Sequence, residues 1–173
     1  MHKITLSASA FPIAQSDVTG LPASLSTLTN SVTTLSNSVN SVTKATGAQF
    51  RTGTNDTNFL TSKTVFDASA PVALTDATTI AVDLATGQNF TVTLAGNRTL
   101  GAPTNAKAGQ SGVITITQDA TGSRTLAYAS AYKKPGGTLT LTTTANAVDV
   151  LSYYVETGGG SPIIRLGLSK AFS

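Results

Sequence analysis

Cysteine and tryptophan are absent from this chain, and histidine occurs once in 173 residues. Without thiols, disulfides and thiolate metal sites are excluded, and the redox compartment stays open. The single histidine, His2, stands near the start of the sequence, so neither a Ser-His-Asp nor a Cys-His arrangement has a base. Charge is scarce as well. Asp, Glu, Lys and Arg make up 11% of the chain, with a net charge of +3. That balance is too small and too dispersed to attract nucleic acid. Lys133-Lys134 is the only adjacent Lys/Arg pair, and the neighbouring Tyr132 is one ring, not a stacking platform. No apolar run approaches transmembrane length, so membrane insertion is not expected. Disorder calls for high net charge and low hydrophobicity, and a chain that is 40% apolar with so little charge has neither.

What is present is a heptad repeat. Leu21, Leu25, Leu28, Val32, Leu35, Val39 and Val42 follow one another at spacings of four, three, four, three, four and three. This is the a/d register of a coiled coil, and the letters repeat too, LTNSVTT being followed directly by LSNSVNS. No charged residue falls between positions 21 and 43. With Leu21 at d, the g positions are Ser24, Ser31 and Ser38, and Thr29, Ser36 and Thr43 stand at e, so interhelical salt bridges are missing. A lone amphipathic helix packed on a globular core would show a wider apolar stripe and a charged outer face. The narrow seam instead predicts association of identical chains. Ser, Thr and Asn are poor helix formers, because their side chains compete for nearby backbone groups. Each buried seam residue contributes about 1.5–3 kcal/mol, against about 1–2 kcal/mol per residue for ordering the backbone. A separate domain is therefore expected to clamp the coil.

Pattern changes divide the chain into four zones: 1–19, 20–46, 47–70 and 71–173. In the first, Ile4 and Leu6 alternate with Thr5 and Ser7, and Pro12 blocks a helix interior. The stretch has a basic start, but Ser7, Ser9 and Pro12 interrupt its apolar core, so it does not read as a signal peptide. Ile4, Leu6, Phe11 and Ile13 lie in a segment too short to bury them, which marks it as a leader that docks on another protein. The helix is expected to begin near Asp17 or Thr19 as cap, with Pro22 in its first turn and Gly47 as a stop. Residues 47–70 are polar and turn-rich, a neck or linker. Asn55, Asp56 and Asn58 match no loop with a full calcium ligand set, and Asn and Asp suit turn geometry for their own sake.

From residue 71 the period becomes 2. Ile80, Val82 and Leu84 alternate with polar or small residues, as do Phe90, Val92 and Leu94, then Ile114 and Ile116, Leu126 and Tyr128, Leu139 and Leu141, and Ile164, Leu166 and Leu168. Turns such as Ala95-Gly96-Asn97 and Thr121-Gly122-Ser123 bound these runs. Between Val148 and Val155 the pattern fits a strand buried on both faces, or a bulge. Seven or eight short strands with no helical pattern between them predict an antiparallel β-sandwich.

Chemistry is sparse in this region. Its acids are Asp76, Asp83, Asp119, Asp149 and Glu156; Asp83 and Asp149 are expected to alternate outward, and no hydrolytic pair is indicated. Gly158-Gly159-Gly160 joins two strands and precedes no helix, so it is a turn and not a phosphate cradle. Tyr128, Tyr132, Tyr153 and Tyr154 suit core and interface packing better than a sugar-binding face. Asn55, Asn89 and Asn97 each begin a glycosylation triplet of the kind a Thr-rich chain produces by chance. Catalytic, cofactor-binding and metal-binding residues are therefore not assigned, and no enzyme is expected.

The order of parts resembles a bacteriophage virion fibre. FPIAQSDVTGLPASLS resembles the lead-in to the coiled coil of phage fibre proteins, and FRTGTNDTNFLTSKTVFDA their connector. The stretch from ALTDATTIAVDLATGQNFTVTLAGNRTL to DVLSYYV is similar to a terminal domain shared by tail and head fibres. The resemblance implies a homotrimer in the virion, anchored on a capsid or tail protein by its N-terminus and displaying a β-domain, with host-surface glycan as a candidate partner. It differs from the seam itself, since Val32 and Val39 at a with Leu28 and Leu35 at d favour two strands. The shortness of the chain leans toward a head fibre over a tail fibre. A surface adhesin stalk and a glycan-binding or glycan-degrading spike are the alternatives. The first needs an export signal, the second a larger β-helix with paired acids.

Overall fold

A computed structural model describes residues 15–54 and 57–172. It is mostly β, with a sheet-rich C-terminal region and three helices among the described residues. The chain divides into two compact units, residues 1–43 and 44–173.

Among its described residues the first unit holds one helix, α1 (Gln15–Asn40). It starts earlier than the capping residues suggest: Asp17 and Thr19 lie inside it, and Pro22 sits in its interior, where it removes one backbone hydrogen bond. Gly47 does not stop this helix. The last turn closes through Ser41 N–H to the Asn37 carbonyl (2.9 Å) and Val42 N–H to the Val39 carbonyl (3.2 Å). Val42 is thus just past the helix end, while Gly47 opens the next one.

The second unit begins with the neck, which is structured and bonded to the β region rather than a free linker. Thr46 caps α2 (Gly47–Thr52): its hydroxyl accepts from Gln49 N–H (3.2 Å), and the Gln49 side-chain oxygen accepts from Thr46 N–H (2.8 Å). Thr61 caps α3 (Ser62–Ala68) in the same manner through Thr64 N–H at 3.1 Å. Arg51 donates to the carbonyls of Ala85 (3.0 Å) and Ala68 (3.3 Å), and Asn89 Nδ2 donates to the Ser69 carbonyl at 2.7 Å. The Ala85 and Asn89 bonds tie the neck to the 85–89 segment of the β region, and the Ala68 bond ties α2 to α3.

Among the described residues nine strands form two sheets: β1 (Val72–Ala73), β2 (Thr79–Ile80), β3 (Phe90–Leu94), β4 (Arg98–Leu100), β5 (Ser111–Gln118), β6 (Leu126–Tyr128), β7 (Tyr132–Lys133), β8 (Val148–Thr157) and β9 (Ile163–Phe172). One sheet runs β1-β3-β5-β8-β9-β7 and the other β2-β4-β6. The antiparallel expectation fails here. Five strand pairs are parallel, and only β5–β8 and β8–β9 are antiparallel. Parallel neighbours need a crossover, and here a strand of the opposite sheet supplies it in place of a helix. From β1 to β6 the chain therefore winds between two faces like a short β-solenoid, each strand from β3 onward stacking on the one two places earlier. By contrast, β7 joins the far edge of the larger sheet beside β9, and the β8–β9 hairpin fills the space between it and β5.

Stacking of like on like builds the core. Phe90 pairs with Ile114 and Val92 with Ile116 in one sheet, and Ile80 with Leu100 in the other, all nearly or fully buried. The intervening Thr91, Thr93, Thr115 and Thr117 pair with each other on the opposite face of the larger sheet. Val82, Leu84 and Leu141 are buried without belonging to a strand, so the sequence pattern located core positions there but not strands. On β8, Leu151, Tyr153 and Val155 point inward, with register shifts at either end of the strand.

Candidate functional site: the helix seam

All seven seam residues are more than half exposed in a single chain, from Val42 at 54% to Leu35 at 66%. Their spacing places those from Leu21 to Val39 along one side of α1. Among the described residues of its own unit, nothing covers this row of large apolar side chains. The flanking hydroxyls are turned toward their own helix. Ser31 donates to the Thr27 carbonyl and Ser38 to the Thr34 carbonyl, both at 2.9 Å, and Ser26, Thr27 and Thr33 bond the carbonyls four residues back in the same way. The sides of the seam thus carry neither charge nor free hydroxyl donors at these positions. The candidate docking residues Ile4, Leu6, Phe11 and Ile13 lie outside the described residues.

Asp76, Asp83, Asp119 and Asp149 of the second unit each accept hydrogen bonds that hold a loop or a strand end. Arg98 grips Asp76 through two hydrogen bonds, Nε to Oδ1 at 2.8 Å and Nη2 to Oδ2 at 2.6 Å. Arg124 grips Asp119 Oδ2 through Nε (3.0 Å) and Nη2 (2.7 Å), while Asp119 Oδ1 accepts from Thr121 and Gly122 N–H. These guanidiniums hold both carboxyls below the ordinary carboxylate range. Asp83 accepts from Ala85 N–H and Asn105, and Glu156 pairs with Arg165 at 2.6 Å on the surface.

Asp149 corrects the outward expectation. It is buried, and its oxygens accept from Thr142 N–H (2.6 Å), the Thr142 hydroxyl (2.8 Å) and Ala171 N–H (2.8 Å). Its register with Ile116 puts it on the core face, and three donors offset its desolvation. Alternation alone could not show this, because a carboxylate faces inward only when donors from other segments meet it.

The tyrosines do not assemble a sugar-binding face. Tyr128 and Tyr132 meet edge to face at 6.3 Å, and Tyr132 and Tyr153 are buried, their hydroxyls donating to the carbonyls of Gly101 (3.0 Å) and Gln88 (2.7 Å). Burial pushes the Tyr128 and Tyr153 phenols from 10.0 up to about 12 and raises Tyr132 as well. Tyr154 alone of the four is exposed. Asn89 and Asn97 likewise hold backbone, Asn97 Oδ1 accepting from Thr125 N–H at 2.9 Å; Asn55 and Asp56 lie outside the described residues. Among the described residues no cluster of three or more His, Cys, Asp or Glu could hold a metal, and no helix is long and apolar enough to cross a membrane.

No curated protein and no solved structure matches the chain. Residues 74–160, half of the sequence, match a family model described as "Putative phage tail fibre C-terminal domain". The matched span runs from the end of β1, through both sheets, into the glycine turn between β8 and β9. The chain therefore belongs to this phage tail fibre family, as a structural protein of the virion.

Proposed function

We propose that the chain is a non-enzymatic fibre subunit whose copies zip along the α1 seam into a parallel homotrimer. In this reading the leader, with Ile4, Leu6, Phe11 and Ile13, docks on a virion protein, and the β unit is displayed outward for surface or host contact. The observation that carries it is the exposure of every seam residue from Leu21 to Val42 in an isolated chain. Trimer over dimer rests on resemblance to phage fibres alone, since valine at a with leucine at d favours two strands. The family's tail description favours the tail over the head as the place of attachment. A structural role is supported by the acids of the β unit, each of which already serves a loop or a strand end.

The test is assembly. Sedimentation equilibrium of the full chain should give three times the 17.5 kDa monomer mass. Particles grown with a chain lacking residues 2–16 should lose the fibre while the free protein stays folded and oligomeric. A monomer at micromolar concentration would end the oligomeric reading. Normal decoration by the truncated chain would end the anchoring one.

A further inference from the structure

We infer that the neck carries a second self-association surface, a clamp that joins copies of this chain just beyond the coil. Phe59, Leu60, Val65 and Phe66 are all exposed, Phe66 at 78%, and they lie on or beside α3. Leu60, Val65 and Phe66 line one groove of about 620 Å³ together with Phe50 of α2. No charged residue lines that groove; Thr61, Ser62, Ser69 and Gln88 complete it. The nearest charges on α3, Lys63 and Asp67, pair with each other at 2.8 Å. Such a concentration of apolar side chains on a sparsely charged chain marks a contact surface.

Three observations commit the surface to a second copy. Its chemistry matches the seam, apolar and hydroxyl-rimmed without charge, so like surfaces meet without burying an unpaired ion. It also follows the seam closely along the chain. Ala45 is three residues after Val42 and donates its N–H to the Phe59 carbonyl at 2.9 Å. Three residues span at most about 11 Å, so copies zipped in parallel along the seam bring their necks within one short connection of a common axis. Each neck then meets its equivalents at an effective concentration on the order of millimolar, where even a weak apolar contact forms. Finally, the neck is rigidly attached by Arg51 and Asn89, so closing the clamp orders no loose segment.

This clamp rests on the oligomeric reading above, and the experiment separates the two. The cysteine-free chain permits a Ser62→Cys probe on the lining of the groove in the full-length protein, which keeps Phe66, followed by thiol labelling and sedimentation over a dilution series, beside a Phe66→Ser variant. The clamp predicts that labelling slows at least 10-fold on association, and that Phe66→Ser raises the dissociation constant at least 10-fold with unchanged circular dichroism. Should Phe66→Ser perturb the fold, the labelling rates decide alone. Equal labelling in oligomer and dilute monomer overturns the clamp and leaves the seam standing. Protection that appears only in assembled particles overturns it too, because the occupant is then another virion protein. A wild-type chain that stays monomeric throughout removes the seam and the clamp together.

Discussion

Arg98 and Asp76 lie 22 residues apart in sequence, yet meet in a two-bond fork that ties the start of β4 to the segment before β2. The guanidinium lowers the carboxyl below its ordinary value of 3.8, as Arg124 does for Asp119. A carboxylate with a lowered folded-state pKa adds stability above the unfolded value, and loses it as pH falls through the folded value. Acid should therefore weaken the β unit progressively below about pH 4. Chemical denaturation at pH 7 and pH 3 should show the loss, and Arg98→Met should reduce the difference between them. A variant with an unaltered acid slope would remove the fork from the account.

The opposite limb depends on tyrosine. Tyr128 and Tyr153 are raised from 10.0 to about 12 because burial penalises their phenolates. Here the folded-state value lies above the unfolded one, so the contribution is full below pH 10 and disappears as pH rises toward 12. Spectrophotometric titration should show phenols that ionise only as the β unit unfolds. Phenolate absorbance rising ahead of any change in circular dichroism would contradict the burial of these rings.

Gly112 offers a sharper mutational test. A Cβ at this position would run into the Gln88 carbonyl and come within 2.9 Å of the Tyr153 hydroxyl, which itself donates to that carbonyl. The backbone of β5 thus passes so close to the 86–89 corner that no side chain fits. Gly112→Ala should destabilise the β unit by about 1–3 kcal/mol, as overpacking does. Urea denaturation would measure it, and a neutral result would mean that the corner moves aside freely.

The sequence disclosed periods better than partners. Phe90, Val92 and Leu94 fall on the core face as their alternation indicates, and so do Ile114 and Ile116. Alternation is a property of one strand, however, and does not encode which strand lies beside it. Ala95-Gly96-Asn97 looks like a hairpin turn, but it carries the chain from one sheet to the other, so β3 pairs with β5 and not β4. The neck hid for another reason. Its polar letters act as caps, Thr46 and Thr61, while its ties to the β region span long separations: Arg51 reaches the Ala85 carbonyl 34 residues on, and the Ser69 carbonyl accepts from Asn89, 20 residues on. The seam was plain in the sequence because a heptad is local, and its exposure in one chain was the addition the structure made.

That exposure returns to the question of what keeps α1 helical. Its Ser and Thr side chains bond their own backbone at five positions, Ser26, Thr27, Ser31, Thr33 and Ser38, an arrangement that satisfies hydroxyls without adding packing. Pro22 interrupts the ladder near one end, and no ion pair along positions 21 to 43 supports the helix. In the proposed oligomer, helical stability comes from burying the seam against other copies, and residue-ordering entropy opposes that association in a short peptide. A peptide of residues 18–46 should be largely unfolded by circular dichroism at micromolar concentration, whereas the same residues in the full chain should be helical. Leu28→Ser combined with Leu35→Ser should abolish that helicity in the full chain while leaving the β signal intact. If the isolated peptide is strongly helical when dilute, the coil stands without help, and the second unit depends on it rather than the reverse.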